Sequence, residues 1–177
     1  MTDLANLPII DAILQEEGWP RFTDTPGDHG GPTKGGITLG LLQSLRPGAT
    51  LEDLKALTED DARGIYEAEF ITRPGFYKIV DGLLRWQVVD CGVPSGPHRA
   101  TEWLRQAVGV EADGQLGPKT IAAVNAADPH RVAIRLACIR IRFFGQDVHN
   151  DPSQAKWLNG WLARATGFLE REAQRKV

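Results

Sequence analysis

Apolar residues recur at Ile9, Ile10, Ile13 and Leu14, while Asp11, Gln15 and Glu16 fall mostly on other faces. That spacing predicts a helix carrying Glu17 at its end, with Gly18 and Pro20 as the stop signal. Six glycines and three prolines then lie between Gly18 and Gly36, too many for a regular element. Turns with one short hairpin are expected there, glycine supplying positive φ and close backbone approach. A new helix should start near Thr38 and carry Leu41, Leu42 and Leu45 before Pro47-Gly48. Thr50 and Thr58 each precede acidic residues in the manner of helix N-caps. The helix after Thr58 should run through Ala62, Ile65, Tyr66, Glu69 and Phe70 to Pro74-Gly75.

The second half reads as helix throughout. Leu83 to Cys91 predicts a buried helix stopped by Gly92 and Pro94, and Ser95 and Pro97 open the next, closed by Gly109. Pro118 suits a first helical position, and Asp128-Pro129 starts a long helix to about Gln146. Trp157, Leu158, Trp161, Leu162, Ala165, Phe168 and Leu169 form an apolar stripe at the helical period. Trp103, Trp157 and Trp161 are expected in the core by this spacing, whereas Trp19, between Gly18 and Pro20, is a candidate sugar-stacking residue. The chain is thus expected to be mainly α with a small β-hairpin or irregular segment near its N-terminus.

At 177 residues, 42% hydrophobic and 24% charged, the chain fits one domain with a sizeable core. A net charge of −3 argues against nucleic acid as a partner. Cys91 and Cys138 belong to no metal-ligand or CxxC spacing, so two buried thiols in a protein folded in a reducing cytosol are expected. The scattered histidines make no zinc pattern, and no metal or cofactor is implied. The N-terminal stretch has no positive region and its apolar run is interrupted by Asp11, Gln15 and Glu16, so it reads as neither signal peptide nor membrane span. The paired glycines at 30–31 and 35–36 fit neither phosphate-binding fingerprint.

Glu17 is the leading candidate for chemistry. A glutamate is unfavourable at a helix C-terminus, where it faces carbonyl dipoles, and an ordinary surface glutamate would sit better at the other end. Glycosidic hydrolysis needs a proton donor and a second polar group to stabilise the cation-like sugar or direct water. Glu16 competes for the first role, and Asp24 and Asp28 compete for the second. Both aspartates also suit turns beside Gly and Pro.

Glu17-Gly18-Trp19 followed by Asp28-His29-Gly30-Gly31-Pro32-Thr33-Lys34-Gly35-Gly36-Ile37-Thr38 resembles the signature of the phage-type N-acetylmuramidases, glycoside hydrolase family 108. That signature runs roughly EGG-aromatic, then D-x-GG-x-T-x-x-GIT. A second stretch is similar to the family's predicted peptidoglycan-binding helical region. Asp90, Val93, Ser95, Gly96, Ala100, Leu104 and Gln106 carry it, followed by Asp113, Gly114, Gly117, Pro118 and Thr120. Pro94 stands where asparagine is usual there, so a side-chain amide is missing.

The resemblance implies a lysozyme-like fold in two lobes, a catalytic lobe over 1–80 and a helical lobe over 81–177. It implies hydrolysis of the β-1,4 bond between MurNAc and GlcNAc in peptidoglycan, with Glu17 as general acid, Asp28 as second carboxylate and Thr33 holding the attacking water. Two extra residues between Gly18 and Asp28 keep Asp24 open as the second carboxylate. Trp19, His29 and Lys34 are the expected substrate contacts. A phage or prophage endolysin would be made in the host cytoplasm, act as a monomer, need no membrane insertion and reach the wall by holin-assisted release. The rivals are a lytic transglycosylase, a non-catalytic wall-binding protein and a structural phage component.

Overall fold

The computed structural model describes residues 6–24, 31–110 and 116–175. The expected Asp28 and His29, and the Asp113-Gly114-Gln115 stretch, lie outside the described residues. The chain divides into two compact units, Met1–Thr72 and Arg73–Val177. Both are mainly helical, and the first carries a small antiparallel sheet.

In the first unit, α1 (Leu7–Glu16) buries Ile9, Ile10, Ile13 and Leu14, the stripe its sequence spacing predicts. Strands β1 (Phe22–Thr23), β2 (Thr33–Lys34) and β3 (Ile37–Thr38) form the sheet in that order. Thr33 pairs with Thr23 on one side and Thr38 on the other, while Lys34 pairs with Phe22 and Ile37. Then follow α2 (Leu39–Leu45), α3 (Leu51–Ala56) and α4 (Glu59–Tyr66).

Their starts are written in the sequence. The Thr38 hydroxyl accepts from Leu41 N–H, and Thr50 and Thr58 form complete capping boxes with Asp53 and Asp61. Replacing such a cap by alanine costs ~1 kcal/mol. Ile37, Leu42, Leu54, Leu57, Ala62, Ile65, Tyr66 and Ile71 are also in the core of this unit, each large aliphatic side chain contributing ~1.5–3 kcal/mol on burial.

The helix expected to run unbroken from Thr58 to Phe70 does not. After Tyr66 it widens into a π-helical segment, Glu67–Thr72, a rare geometry found often beside functional sites.

In the second unit a short 3-10 turn, Phe76–Lys78, precedes α5 (Gly82–Ser95), α6 (Pro97–Val108), α7 (Pro118–Ala126), α8 (Pro129–Asn150) and α9 (Ala155–Ala173). α8 packs against α5, α6 and α9, with Val132, Ala133, Leu136, Ala137 and Phe144 buried. Residues 73–80 pack here, because the Asn125 side chain donates to Lys78 O and accepts from Val80 N–H, both at 3.0 Å.

Three further expectations need correction. α5 continues through Gly92 and Pro94 to Ser95. Pro94 falls in its last turn, where the ring removes one N–H without ending the helix, and Gly96, at φ 82°, makes the break. α8 extends past Gln146 to Asn150. Trp157 is 55% exposed, because the residues α9 buries, Ala165, Phe168 and Glu172, lie in its second half. Trp103 is buried as its spacing predicts.

A charge cluster centred on Asp90, whose arginine partners no sequence pattern marks, lies in this core. Asp90 accepts from buried Arg140 at 2.5 Å and from Arg164 at 2.6 Å. Cys91 is buried and Cys138 half-buried, and neither is bridged.

Candidate active site

The end of α1 fixes the direction of Glu17. Trp19 N–H bonds to Leu14 O at 2.9 Å and Gly18 N–H to Gln15 O at 3.2 Å. With Gly18 at φ 71° this is a Schellman ending, which needs a left-handed residue just past the helix. Glu17 is therefore the last residue in helical conformation, half-buried, whereas Glu16 is exposed.

The turn between β2 and β3 is Gly35-Gly36, both at positive φ, 51° and 79°. A two-residue hairpin of the I′ kind requires this at both positions. The glycines are also required by what lies against them. A Cβ at Gly35 would fall 2.5 Å from Trp19 Cε3. At Gly36 it would fall 2.8 Å from Glu17 Oε2, 3.0 Å from Glu17 Cγ, and inside contact distance of the Tyr66 hydroxyl. The hairpin tip is thus pressed between the Trp19 indole and the Glu17 carboxyl, two residues apart on the helix ending.

Tyr66, 1% exposed, donates from its hydroxyl to Gly35 O at 2.8 Å, and its ring lies 5.5 Å from that of Phe70. The sequence pattern marks Tyr66 only as a core residue of a helix. Nothing in its local spacing reveals that its hydroxyl reaches the glycine turn.

Lys34 is drawn to the first unit's own backbone. Its ammonium donates to Lys55 O at 2.5 Å and Leu57 O at 2.8 Å, carbonyls at the end of α3, where a cation is favoured. It also sits 5.2 Å over the Trp19 ring. Thr33 donates from its hydroxyl to Gly31 O at 3.0 Å, which leaves that oxygen's lone pairs to accept. Asp24 directly follows β1 and is exposed. Among the described residues, no group of three or more His, Cys, Asp or Glu side chains is placed to hold a metal ion.

A half-buried carboxyl on a rigid helix ending, beside an aromatic ring and a hydroxyl-bearing strand, is a constellation for acid-assisted bond cleavage. The relationships of the whole chain agree. Residues 10–96 match the family profile Glycosyl hydrolase 108, and residues 99–166 match Predicted Peptidoglycan domain. No curated protein matches the chain. Among solved structures, "Structure of Brucella abortus SagA" is similar, with 27% identity and a TM-score of 0.80, over 95% of this chain and 93% of that one.

The chain is a glycoside hydrolase of mainly α, lysozyme-like fold. It belongs to glycosyl hydrolase family 108 and carries that family's region together with a peptidoglycan domain, which makes it a peptidoglycan hydrolase. Among the described residues no helix is long and apolar enough to cross a membrane.

Proposed function

We propose that the enzyme is an N-acetylmuramidase that hydrolyses the MurNAc–GlcNAc β-1,4 bond, with Glu17 as general acid. The carrying observation is the Glu17 carboxyl held against Gly36 on the tip of the hairpin. A proton donor must meet one oxygen of a bound glycan with a fixed approach, and a rigid helix ending supplies that better than a loop.

In this reading Glu17 gives its proton to the glycosidic oxygen as the bond to the sugar's anomeric carbon breaks. Asp28 stabilises the positive charge on that carbon and takes a proton from the attacking water. Thr33, its own proton committed to Gly31 O, accepts from that water and aims it. Direct attack by water inverts the anomeric centre. Trp19 offers its indole to a sugar face and His29 contacts the glycan. Lys34 holds Trp19 from behind, in keeping with its cation–π distance, and contacts substrate through the third donor of its ammonium.

The biological setting we infer is lysis by a phage or prophage, the enzyme acting as a monomer on the wall after release through a holin pore. What the family match and its peptidoglycan domain support is the target polymer, the bacterial wall.

The test is a pair of substitutions one residue apart. Glu17→Gln should lower the clearing of peptidoglycan suspensions by about two orders of magnitude or more with little change in Tm, and Glu16→Gln should leave most activity. A dead Glu16→Gln beside an active Glu17→Gln would transfer the acid's role to Glu16.

A further inference from the structure

The second unit holds a cavity of about 210 Å³ between the end of α5, the start of α6, α8 and α9. Phe143, Phe144 and Trp161 make its apolar lining, and Ser95, Arg99 and Asp147 its polar groups. The rings are stacked and supported. Trp161 lies on Phe144 with centroids 5.1 Å apart and planes 24° apart. Phe143 is braced by Trp103 at 5.1 Å, and the buried Arg140 guanidinium sits 5.5 Å from the Phe144 ring centre. Arg99 stands 4.6 Å over Phe143.

Among the described residues, the Ser95 hydroxyl, Arg99 guanidinium and Asp147 carboxylate have no hydrogen-bond or ion-pair partner. A donor-acceptor hydroxyl, a fork of donors and a two-oxygen acceptor thus border one cavity. Their charges cancel, so the cavity offers no single-sign field for a phosphate or a free carboxylate. It suits a neutral ring with one apolar face and hydroxyl and amide groups at its edge.

We propose that this cavity is a non-catalytic saccharide site that takes one N-acetylated hexosamine of a glycan strand, its C–H face on Trp161 and its hydroxyl and acetamide groups on Asp147, Arg99 and Ser95. It rests on the peptidoglycan reading above and names the part of that polymer the second unit holds. The site anchors a strand without cutting it, since the Glu17 constellation belongs to the first unit.

The test is a titration of the isotope-labelled full chain, carrying Glu17→Gln to prevent turnover, with the disaccharide N,N′-diacetylchitobiose, followed by nitrogen–proton NMR. The Trp161 indole N–H and the Ser95 and Asp147 amides should shift and saturate together. Asp147→Asn, at a half-buried position, and Arg99→Ala, at an exposed one, should each weaken that saturation by about tenfold. Unmoved resonances at these three residues overturn the proposal even if residues near Glu17 respond, an outcome that leaves the hydrolase reading standing. Shifts produced by a stem tetrapeptide and not by the disaccharide overturn it as well. Failure of the native chain to clear peptidoglycan would count against the hydrolase reading alone, because this titration needs no turnover.

Discussion

The carboxyl of Glu17 occupies the space that a side chain at Gly36 would fill. Glu17 Oε2 would lie 2.8 Å from a Cβ there, and the Tyr66 hydroxyl presses on the same point. Gly36 is therefore glycine for two independent reasons, its φ of 79° and the catalytic candidate beside it. Gly36→Ala should reduce peptidoglycan hydrolysis about as severely as loss of the acid itself, since displacing a reacting group by 1 Å can cost about a hundredfold. Gly48→Ala is the control for φ alone, with φ 87° and open space around it. Circular dichroism and activity on both variants decide the point. A Gly36→Ala enzyme with near-native activity would detach the hairpin tip from Glu17.

A second expectation concerns acid stability. The Asp61 carboxyl is held down to about 2 by bonds from the Thr58 hydroxyl at 2.6 Å, from Arg46 at 2.8 Å and from Thr58 N–H at 3.0 Å. Its folded-state value lies below the ordinary aspartate value of 3.8, so its stabilisation is complete above that value and is lost as pH falls towards 2. Asp61→Asn should therefore lower Tm at pH 6 and make little difference near pH 2. Thermal melts at both pH values check this. An equal Tm loss at the two would assign the effect to packing and not to charge.

The two thiols should differ. Burial pushes the Cys91 thiol up to about 12, whereas Cys138 is half-buried in α8. Since only the thiolate reacts appreciably, an aromatic disulfide reagent should leave Cys91 untouched in the native protein and modify it on unfolding. Mass spectrometry without reductant should find both thiols free. A bridge between them, or rapid native labelling at Cys91, would contradict the assignment.

Much of the first unit can be read from local pattern. α1 has a four-residue apolar stripe, Thr50 and Thr58 announce their helices through an acid three residues on, and Gly35-Gly36 marks a hairpin. Each of these is a short-range constraint whose physics is complete within a few residues. What the pattern misses is long-range. Tyr66 looks like any core aromatic, yet its hydroxyl travels 31 residues in sequence to Gly35 O. Asp90 falls in a motif, but Arg140 and Arg164, which pair with it, show none, because a buried ion cluster is defined by what packs around it. The place of Lys34 in the glycine loop says nothing of which carbonyls its ammonium meets. Its bonds to Lys55 and Leu57 carbonyls depend on where α3 ends. Trp157 has the period of a core residue, but a period identifies a face and not how far along the helix that face is covered.

The product of peptidoglycan digestion tests the central claim most directly. Water attack with Glu17 as acid should release fragments ending in a reducing MurNAc, and borohydride reduction followed by mass spectrometry would convert every such end to its alditol. Incorporation of heavy-oxygen water should label that same sugar. Anhydro-muramyl ends that take up no label, or reducing ends on GlcNAc, would contradict an N-acetylmuramidase.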